Sequence, residues 1–591
     1  MIEREDLLPR DSDRGRFAVG AFLSGAEVLG ANLTVRARSI VCVGAGLVTA
    51  SLIGCAGRAA NSVTHQDAHA LGVVHFPISC SAAAQAEFNH ALALLHHMTY
   101  PQARDGFQRV ATIDSTCAMA KWGIAMTLFQ PLWPTRPRPK ELQRGWDAVQ
   151  SANALHPPTR RERLFVAAAE AFYLEPASPD YWLRIRRWEH ASEIAYDSLP
   201  NDDEAAVFYA LALLATAPSD TLSRAHADRA AEILLRVYDR NPNHPGAMHY
   251  LVHANDVPGR ERESLEITHK YEMAAPSNAH ALHMPTHIYT RLGDWNGVIR
   301  GNLRAADAAF ASPAGEHDEL ISDEFPHAIE YLVYAYLQEG ADDDAAAQIR
   351  RLRSTANIEP TFKLAFHLAS TQARFALERH DWGEAAKVVP REPASVDWDR
   401  FAWAEAVSQF ARGLGAAHQG DVNVAKAASD RLSVLEAETE RGGEAQFARN
   451  IRVLRLELNA WQAHKAGHRD SSVALMNAAA ELESSTPKHA VTPGPTLPAL
   501  ELMGDLLMEQ RQPAEALASY QHSMAIYPRR FNGLLGAARA AQTMGDSTLA
   551  RTYYKELLEV AAAGTRRAPL AEARDFVAAD NRPSSTKSRT P

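Results

Sequence analysis

The sequence predicts an all-α fold, a solenoid of about nine to eleven stacked helical hairpins. Helix-forming residues dominate, alanine above all, and no long alternation of Val, Ile and Thr predicts a large sheet. Small and large apolar residues recur at a fixed period in several parts of the chain. Glycine and proline recur where one helix would end and the next begin. Together these features predict stacked helix pairs.

The composition is that of a folded protein without a disulfide framework. Of its 591 residues 46% are apolar and 22% charged, which excludes wholesale disorder. The four cysteines are too few for a disulfide scaffold. Acidic residues number 71 and basic residues 61, for a net charge of −10 and no basic block. We therefore expect no nucleic-acid partner.

The repeat has a period of 34 residues and is clearest towards the C-terminus. Residues at matching positions are small where paired helices touch and larger between them: Leu500, Gly504, Leu507, Ala516 and Tyr520, then Leu534, Ala538, Ala541, Ala550 and Tyr554. The same frame appears over 84–115. The pattern resembles the tetratricopeptide repeat (TPR), and the resemblance implies a right-handed superhelix with a concave groove. One such hairpin cannot bury its apolar face alone, so neighbouring hairpins must stack.

This frame divides the chain into consecutive parts. The predicted parts are an N-terminal extension with a signal (1–54), a lipidated cysteine and linker (55–78), a main TPR-like superhelix (79–400), further hairpins (401–484), a linker (485–498), a C-terminal TPR pair (499–565) and a disordered tail (575–591).

The N-terminus contains a predicted export signal. Residues 39–54 are almost wholly apolar and follow Arg36 and Arg38, which is typical of a secretory signal and too short for a membrane span. The segment ends at Cys55 in a sequence that resembles a bacterial lipobox, which implies cleavage and lipidation there. The alternative is an uncleaved anchor helix. With Ala56 next, we expect a lipoprotein of the bacterial cell envelope, in the outer membrane and facing the periplasm.

The mature chain would retain two cysteines, Cys80 and Cys117. An exported pair can oxidise. If 84–115 is a helical hairpin, its two ends lie close together, which favours a disulfide. Two buried free thiols are the alternative.

Four histidines recur at the repeat period and form a candidate metal site. His249 and His253 are four residues apart, and His283 and His287 repeat that spacing 34 positions later. Residues i and i+4 share a helix face. The TPR resemblance implies that all four imidazoles face the groove. Two facing pairs suit a transition metal such as Cu, Zn or Fe.

Other residues extend this cluster or offer another reading of it. Further ligands, or partners that orient a ring, are expected at His280, His327, Glu330 and Asp256. Instead of metal, the histidines could bind an anion or a peptide, or form a structural hydrogen-bond ladder.

Near the N-terminus an apolar set is either ordinary core or a ligand pocket: Phe88, Leu92, Trp122, Met126 and Phe129.

Segments 76–103, 114–126, 244–259 and 280–295 resemble an uncharacterised family of exported bacterial TPR proteins. The paired cysteines and the two HxxxH segments look like shared features of that family. The resemblance implies an extracytoplasmic protein with a built site, and it implies no reaction.

Three functions are therefore open. The first is a lipid-anchored TPR protein whose histidine cluster binds a transition metal or a metal-bearing or small ligand. The second is a metal-free scaffold for a protein or peptide partner in envelope assembly or secretion. The third is a metal-dependent enzyme with His287 as ligand and Glu330 or Asp256 as general base. The chain has no GxSxG, P-loop, GxGxxG or HExxH motif.

Overall fold

The computed structural model describes residues 71–133, 135–314 and 319–579. Over these residues the chain is almost entirely helical, as the sequence predicts. The first half contains α1 (Ala82–His96), α2 (Tyr100–Ile113), α3 (Ala118–Met126), α4 (Pro139–Ala154), α5 (Arg160–Tyr173), α6 (Tyr181–Ser198), α7 (Asp203–Ala215), α8 (Ser223–Arg240), α9 (Pro245–Asn255), α10 (Leu265–Ala274), α11 (Ala279–His283), α12 (Pro285–Leu292) and α13 (Trp295–Ala311).

The second half begins with two short strands that pair antiparallel, β1 (Pro313–Ala314) and β2 (Leu320–Ile321). Its helices are α14 (Glu324–Gln338), α15 (Asp342–Ser354), α16 (Phe362–Leu377), α17 (Trp382–Ala385), α18 (Ala402–Gln419), α19 (Val422–Arg441), α20 (Ala445–Lys465), α21 (Arg469–Ser484), α22 (Ala499–Glu509), α23 (Pro513–Ile526), α24 (Phe531–Thr543), α25 (Ser547–Val560) and α26 (Ala568–Ala579).

The helices pack as a solenoid of hairpins. Successive helices contact each other, as α1 does α2 and α18 does α19, and alternate helices also meet, as α18 does α20 and α22 does α24. Small residues allow this close approach. A Cβ on Gly504 or on Gly536 would lie 2.5 Å or less from the ring of Tyr520, which fills the space between their helices. The all-α solenoid predicted from the 34-residue period is therefore confirmed.

The turn between α12 and α13 shows how the repeat sequence fixes a local structure. Gly293 ends α12 with φ of +66°, a left-handed conformation that favours glycine, and a Cβ there would lie 2.8 Å from the carbonyl oxygen of Pro528. Asp294 then caps α13, because its carboxylate accepts a hydrogen bond from the Gly297 amide at 3.0 Å.

The C-terminal repeats pack against the middle of the chain. Phe531 and Leu534 of α24 share a hydrophobic cluster with Tyr334 of α14. The Arg530 guanidinium is fully buried and donates to the Tyr334 hydroxyl at 2.7 Å and to the Glu378 carboxylate at 2.9 Å. Helices distant in sequence are thus held together, and the side chains at their contact are buried.

Several predicted segments fall at the edges of the described residues or in loops. The signal and Cys55 lie outside the described residues. Residues 485–498 connect α21 to α22 without helix, and their carbonyl groups accept hydrogen bonds from Arg374 of α16. Helix α26 continues to Ala579, and the rest of the predicted tail is not described. In the part of the chain that the structure describes, every helix is too short or too polar to span a bilayer.

Cys80 and Cys117 form a disulfide that closes the α1–α2 hairpin. The bond lies just before α1 and at the start of α3, so it ties the two ends of the hairpin to each other.

We predict that a Cys80→Ser/Cys117→Ser variant loses about 3–4 kcal/mol of unfolding free energy, because a bond across 37 residues of sequence restricts the unfolded chain. Urea denaturation of the oxidised protein, the reduced protein and the variant measures this loss. The reduced protein should match the variant, and a midpoint unaffected by reductant would contradict the prediction.

Candidate metal centre

Six histidines from four helices meet in the interior. All are buried except His253, which is partly exposed. The six imidazoles are those of His249 and His253 from α9, His280 and His283 from α11, His287 from α12 and His327 from α14.

The second HxxxH pair does not lie on one continuous helix. Pro285 has no N–H to continue the hydrogen-bond ladder, so the helix divides into α11 and α12 at Met284. The backbone at the break stays helical in φ and ψ, and the His287 amide donates to the Met284 carbonyl at 3.1 Å. His283 and His287 therefore still face the same side.

The histidines form two three-membered clusters. In the first, which we call cluster A, His249 Nε2 lies 3.2 Å from His253 Nε2 and 3.0 Å from His280 Nε2. In cluster A one nitrogen from each ring lies within 4.8 Å of the other two. His280, predicted as an additional ligand, thus completes the pair of α9.

The second cluster, cluster B, contains His283, His287 and His327. His283 Nε2 lies 3.0 Å from His287 Nε2, and the ring centre of His327 lies 4.3 Å from that of His283. These three residues also bring one nitrogen each within 4.8 Å of the others. The sequence predicted one site from two facing pairs, whereas the structure arranges the same residues as two sets of three.

Oxygen acceptors fix the protonation of most of these rings. His283 Nδ1 lies 2.7 Å from Asn302 Oδ1, and the Asn302 amide nitrogen donates to a carbonyl, so this oxygen can only accept. His287 Nδ1 lies 2.8 Å from the Asp256 carboxylate. In cluster A, His249 Nδ1 lies 2.6 Å from the His96 carbonyl, and His280 Nδ1 lies 3.1 Å from Glu324. Each Nδ1 therefore carries the hydrogen.

The consequence is clearest for His283 and His287. A neutral imidazole has one N–H, and in both rings it is on Nδ1. Their two Nε2 lone pairs then face each other at 3.0 Å with no hydrogen between them, and the Tyr331 hydroxyl lies 3.5 Å from Nε2 of His287. Two nitrogens that bind the same metal ion at about 2 Å stand roughly 3.0–3.5 Å apart. A bound cation would turn this repulsive contact into an attractive one.

His327 is oriented by a relay of side chains. Its Nδ1 lies 3.1 Å from His367 Nε2, and His367 Nδ1 hydrogen-bonds the buried carboxylate of Glu330. His367 therefore accepts at Nε2, so His327 Nδ1 donates and its Nε2 holds a lone pair. That Nε2 is buried and has no hydrogen-bond partner. This lone pair is available as the third donor of cluster B.

Burial keeps four of these imidazoles uncharged: those of His249, His283, His287 and His327. Burial lowers the pKa of His249, His283 and His327 well below the ordinary value, and neighbouring imidazoles lower each one further. For His287, burial and then the charge of Lys488 lower the pKa to about 4, although Asp256 opposes them. Neutral imidazole is the form that binds a metal ion.

Asp256 is the centre of an ionic network beside cluster B. Its carboxylate accepts from Lys488 at 2.6 Å, from Arg291 at 2.8 Å and from His287. Burial alone would raise the pKa of Asp256, but the two positive charges outweigh it and hold the pKa well below the ordinary value. Lys488 comes from segment 485–498, so this non-helical segment contributes to the site.

A similar network lies beside cluster A. The Glu324 carboxylate contacts His280 and accepts from the buried ammonium group of Lys363 at 2.6 Å. Lys363 also pairs with Asp323 at 2.5 Å. Near cluster B, Glu330 accepts from Ser370 at 2.6 Å and from Arg374 at 3.0 Å as well as from His367. Glu330 and Asp256 thus both accept hydrogen bonds from several buried cationic and polar groups.

A third group, His96, Glu204 and His244, differs from clusters A and B. His96 and His244 both bond to the Glu204 carboxylate, at 2.9 and 3.2 Å. The second nitrogen of His96 contacts the Tyr250 hydroxyl, and that of His244 accepts from the Ala247 amide. One proton arrangement satisfies every nitrogen, so this group is complete without a cation.

Two cavities approach the clusters from different sides. A cavity of about 350 Å³ is lined by His280, Trp133 and Glu324. Another of about 480 Å³ is lined by Asp256 and Lys488 together with the aromatic rings of Trp403 and other residues. The histidines are thus buried, but a cavity lies on each of two sides of the clusters.

The predicted apolar set near the N-terminus is tightly packed. The side chains named there are 0–4% exposed and contact one another, as Phe88 and Trp122 do with ring centres 6.1 Å apart. The space beside Trp122 and Met126 is only about 10 Å³. They form ordinary core, which was one of the two alternatives.

Sequence patterns did not predict most partners of the imidazoles. Asn302, Glu324 and Lys488 lie outside any histidine motif and outside the repeat register of His249 and His283. Polar residues on helices that are otherwise apolar, such as α14, could have indicated Glu324 and Asn302, whereas Lys488 lies in a non-helical segment and carries no such signal.

No protein-family model matches the chain, and no curated protein matches it. Solved structures do match. The human IFIT1 dimer with m7Gppp-AAAA aligns at 12% identity and a TM-score of 0.35, over 75% of this chain and 90% of that one. The APC/C hetero-tetramer Cut9-Hcn1 aligns at 12% identity and a TM-score of 0.27, over 84% of this chain and 95% of that one. Neither similarity bears on the histidine clusters.

We predict that Asp256→Asn lowers the free energy of unfolding by about 3–5 kcal/mol, because it leaves the charges of Lys488 and Arg291 buried without a counter-charge. Lys488→Met should cost less, since Arg291 still pairs with Asp256. Chemical denaturation of the two variants and of the double variant measures the coupling. Strictly additive losses would contradict the ionic network.

Proposed function

We propose that this protein binds transition-metal ions within a TPR-like helical scaffold. The observation that carries the proposal is the contact between His283 Nε2 and His287 Nε2 at 3.0 Å, where both Nδ1 hydrogens are committed to oxygen acceptors. Such a contact is unfavourable between neutral imidazoles and favourable around a cation. The unpartnered Nε2 of His327 supplies a third donor at the same place.

The burial of the clusters favours a metal over a peptide ligand. His249, His283, His287 and His327 are 0–1% exposed, so a peptide could not reach them without a rearrangement of the helices. A structural hydrogen-bond ladder is also disfavoured, since two lone pairs that face each other do not form a hydrogen bond. An interaction with a protein partner on the outer surface of the scaffold is compatible with the metal site.

The proposal places the protein in the bacterial cell envelope as a lipoprotein. This location rests on the apolar run 39–54 and on Cys55 in the sequence, together with the disulfide between Cys80 and Cys117, which suits an oxidising compartment.

We predict that the full-length protein, purified from cell envelopes without chelator, contains copper, zinc or iron in stoichiometric amount. Plasma mass spectrometry measures it. A His283→Ala/His287→Ala variant should lose the metal of cluster B, and chelation should lower the thermal midpoint of the wild-type protein, because a ligand of the folded state stabilises that state.

His244→Asn is the matched control. It alters the third histidine group, whose nitrogens are all satisfied, and asparagine retains a favourable N-cap at the start of α9. This variant should keep its metal. A wild-type protein that holds no metal after incubation with each candidate ion would overturn the proposal, and co-purification of a partner chain would then support the metal-free scaffold.

A further inference from the structure

Clusters A and B are neighbours within one interior site. His280 of cluster A and His283 of cluster B lie one turn apart on α11, with ring centres 6.2 Å apart. On the far side, His253 and His287 have ring centres 5.9 Å apart. Two metal ions, one in each cluster, would therefore be close neighbours rather than independent ions.

The donors of both clusters are imidazole nitrogens. Each cluster offers three imidazole nitrogens and no carboxylate or thiolate. The acids around them orient imidazoles and are matched by basic groups. Four carboxylates face four cations: Asp256, Asp323, Glu324 and Glu330 with Lys363, Lys488, Arg291 and Arg374.

This charge balance selects among metals. The cost of burying an ion rises with the square of its charge, so a monovalent ion pays roughly a quarter of the cost of a divalent ion of the same size. Two divalent ions would bring four positive charges beside these four ion pairs, whose own charges cancel. Copper is the metal of the imidazole-binding series with an accessible monovalent state, and three nitrogen donors suit it.

We propose that clusters A and B together form a dinuclear copper centre that binds dioxygen. The inference rests on the proposed function, because it assigns the number and identity of the metal ions at the same site. In the reduced centre each cluster holds one Cu(I) ion through three Nε2 atoms.

The reaction with dioxygen balances within the site. Each Cu(I) ion gives one electron and becomes Cu(II). Dioxygen accepts both electrons, its O–O bond order falls from two to one, and it is held between the metals as peroxide. The step needs no proton and no other reductant, because the two neighbouring Cu(I) ions supply both electrons.

The cavity of about 350 Å³ supplies a route for dioxygen. Its wall includes Trp133 and His280. The Trp133 ring lies edge-on to His280 of cluster A at 5.5 Å and to His327 of cluster B at 5.6 Å between ring centres. A small molecule in this cavity therefore reaches His280 of cluster A, and the Trp133 ring in its wall contacts a histidine of each cluster.

The test uses the full-length protein, loaded with Cu(I) under argon and then exposed to oxygen. We expect about two copper ions per chain, as a two-metal site requires. After oxidation, electron paramagnetic resonance should detect almost no Cu(II), because the two spins couple. Acid denaturation should then release both ions as detectable Cu(II).

Variants separate the two clusters. His249→Ala/His280→Ala removes cluster A, and His283→Ala/His327→Ala removes cluster B. Each variant should bind one copper ion. After oxidation its electron paramagnetic resonance signal should equal that of one isolated Cu(II) ion, whereas the wild-type signal is near zero. His244→Asn should retain two ions and the silent spectrum. Circular dichroism checks the fold of each variant, and the wild-type stoichiometry and spectrum decide the matter if a variant does not fold.

The outcomes distinguish this inference from the proposed function. One metal ion per chain, two copper ions with full resonance intensity, or retention of zinc in preference to Cu(I) would overturn the dicopper centre and leave a metal-binding protein. Failure to bind any metal would overturn both.

Discussion

Each helical hairpin of this protein has an apolar face that only its neighbours can cover. That constraint makes the chain stack helix upon helix, and it also closes the interior when α24 and the buried Arg530 pack against α14. Polar groups on the inward faces are then removed from water. A buried polar atom needs a partner, so the histidines and acids of α9, α11, α12 and α14 must satisfy one another or bind something else.

The acids and amides around the clusters determine whether the histidines satisfy one another or keep lone pairs for a ligand. Asn302 and Asp256 accept hydrogen bonds from Nδ1 of His283 and of His287. The Nε2 lone pairs of the two rings then point at each other. The group of His96, Glu204 and His244 shows the opposite outcome. There a single carboxylate takes a hydrogen from each ring, and the remaining nitrogens accept from Tyr250 and from a backbone amide. Similar residue types thus form a complete network in one place and an open donor set in another.

Charge balance is maintained over the whole site. Lys488 and Arg291 neutralise Asp256, Lys363 pairs with Glu324 and Asp323, and Arg374 pairs with Glu330. Lys488 comes from a non-helical segment between α21 and α22, far from α9 in sequence. The solenoid therefore completes its interior with residues from distant repeats, which couples the site to the stability of the fold.

The sequence by itself determined the helical solenoid and the spacing of the histidines. The 34-residue period and the pairs His249/His253 and His283/His287 depend on local geometry, since residues i and i+4 share a helix face in any such helix. Only the tertiary structure decided that His280 joins the first pair and His327 the second, and that Asn302, Glu324 and Lys488 surround them. Those contacts join residues that are distant along the chain, and helix periodicity carries no information about which inward faces meet. The packing of α9, α11, α12 and α14 against one another sets those meetings, and with them the difference between one site of four imidazoles and two sites of three.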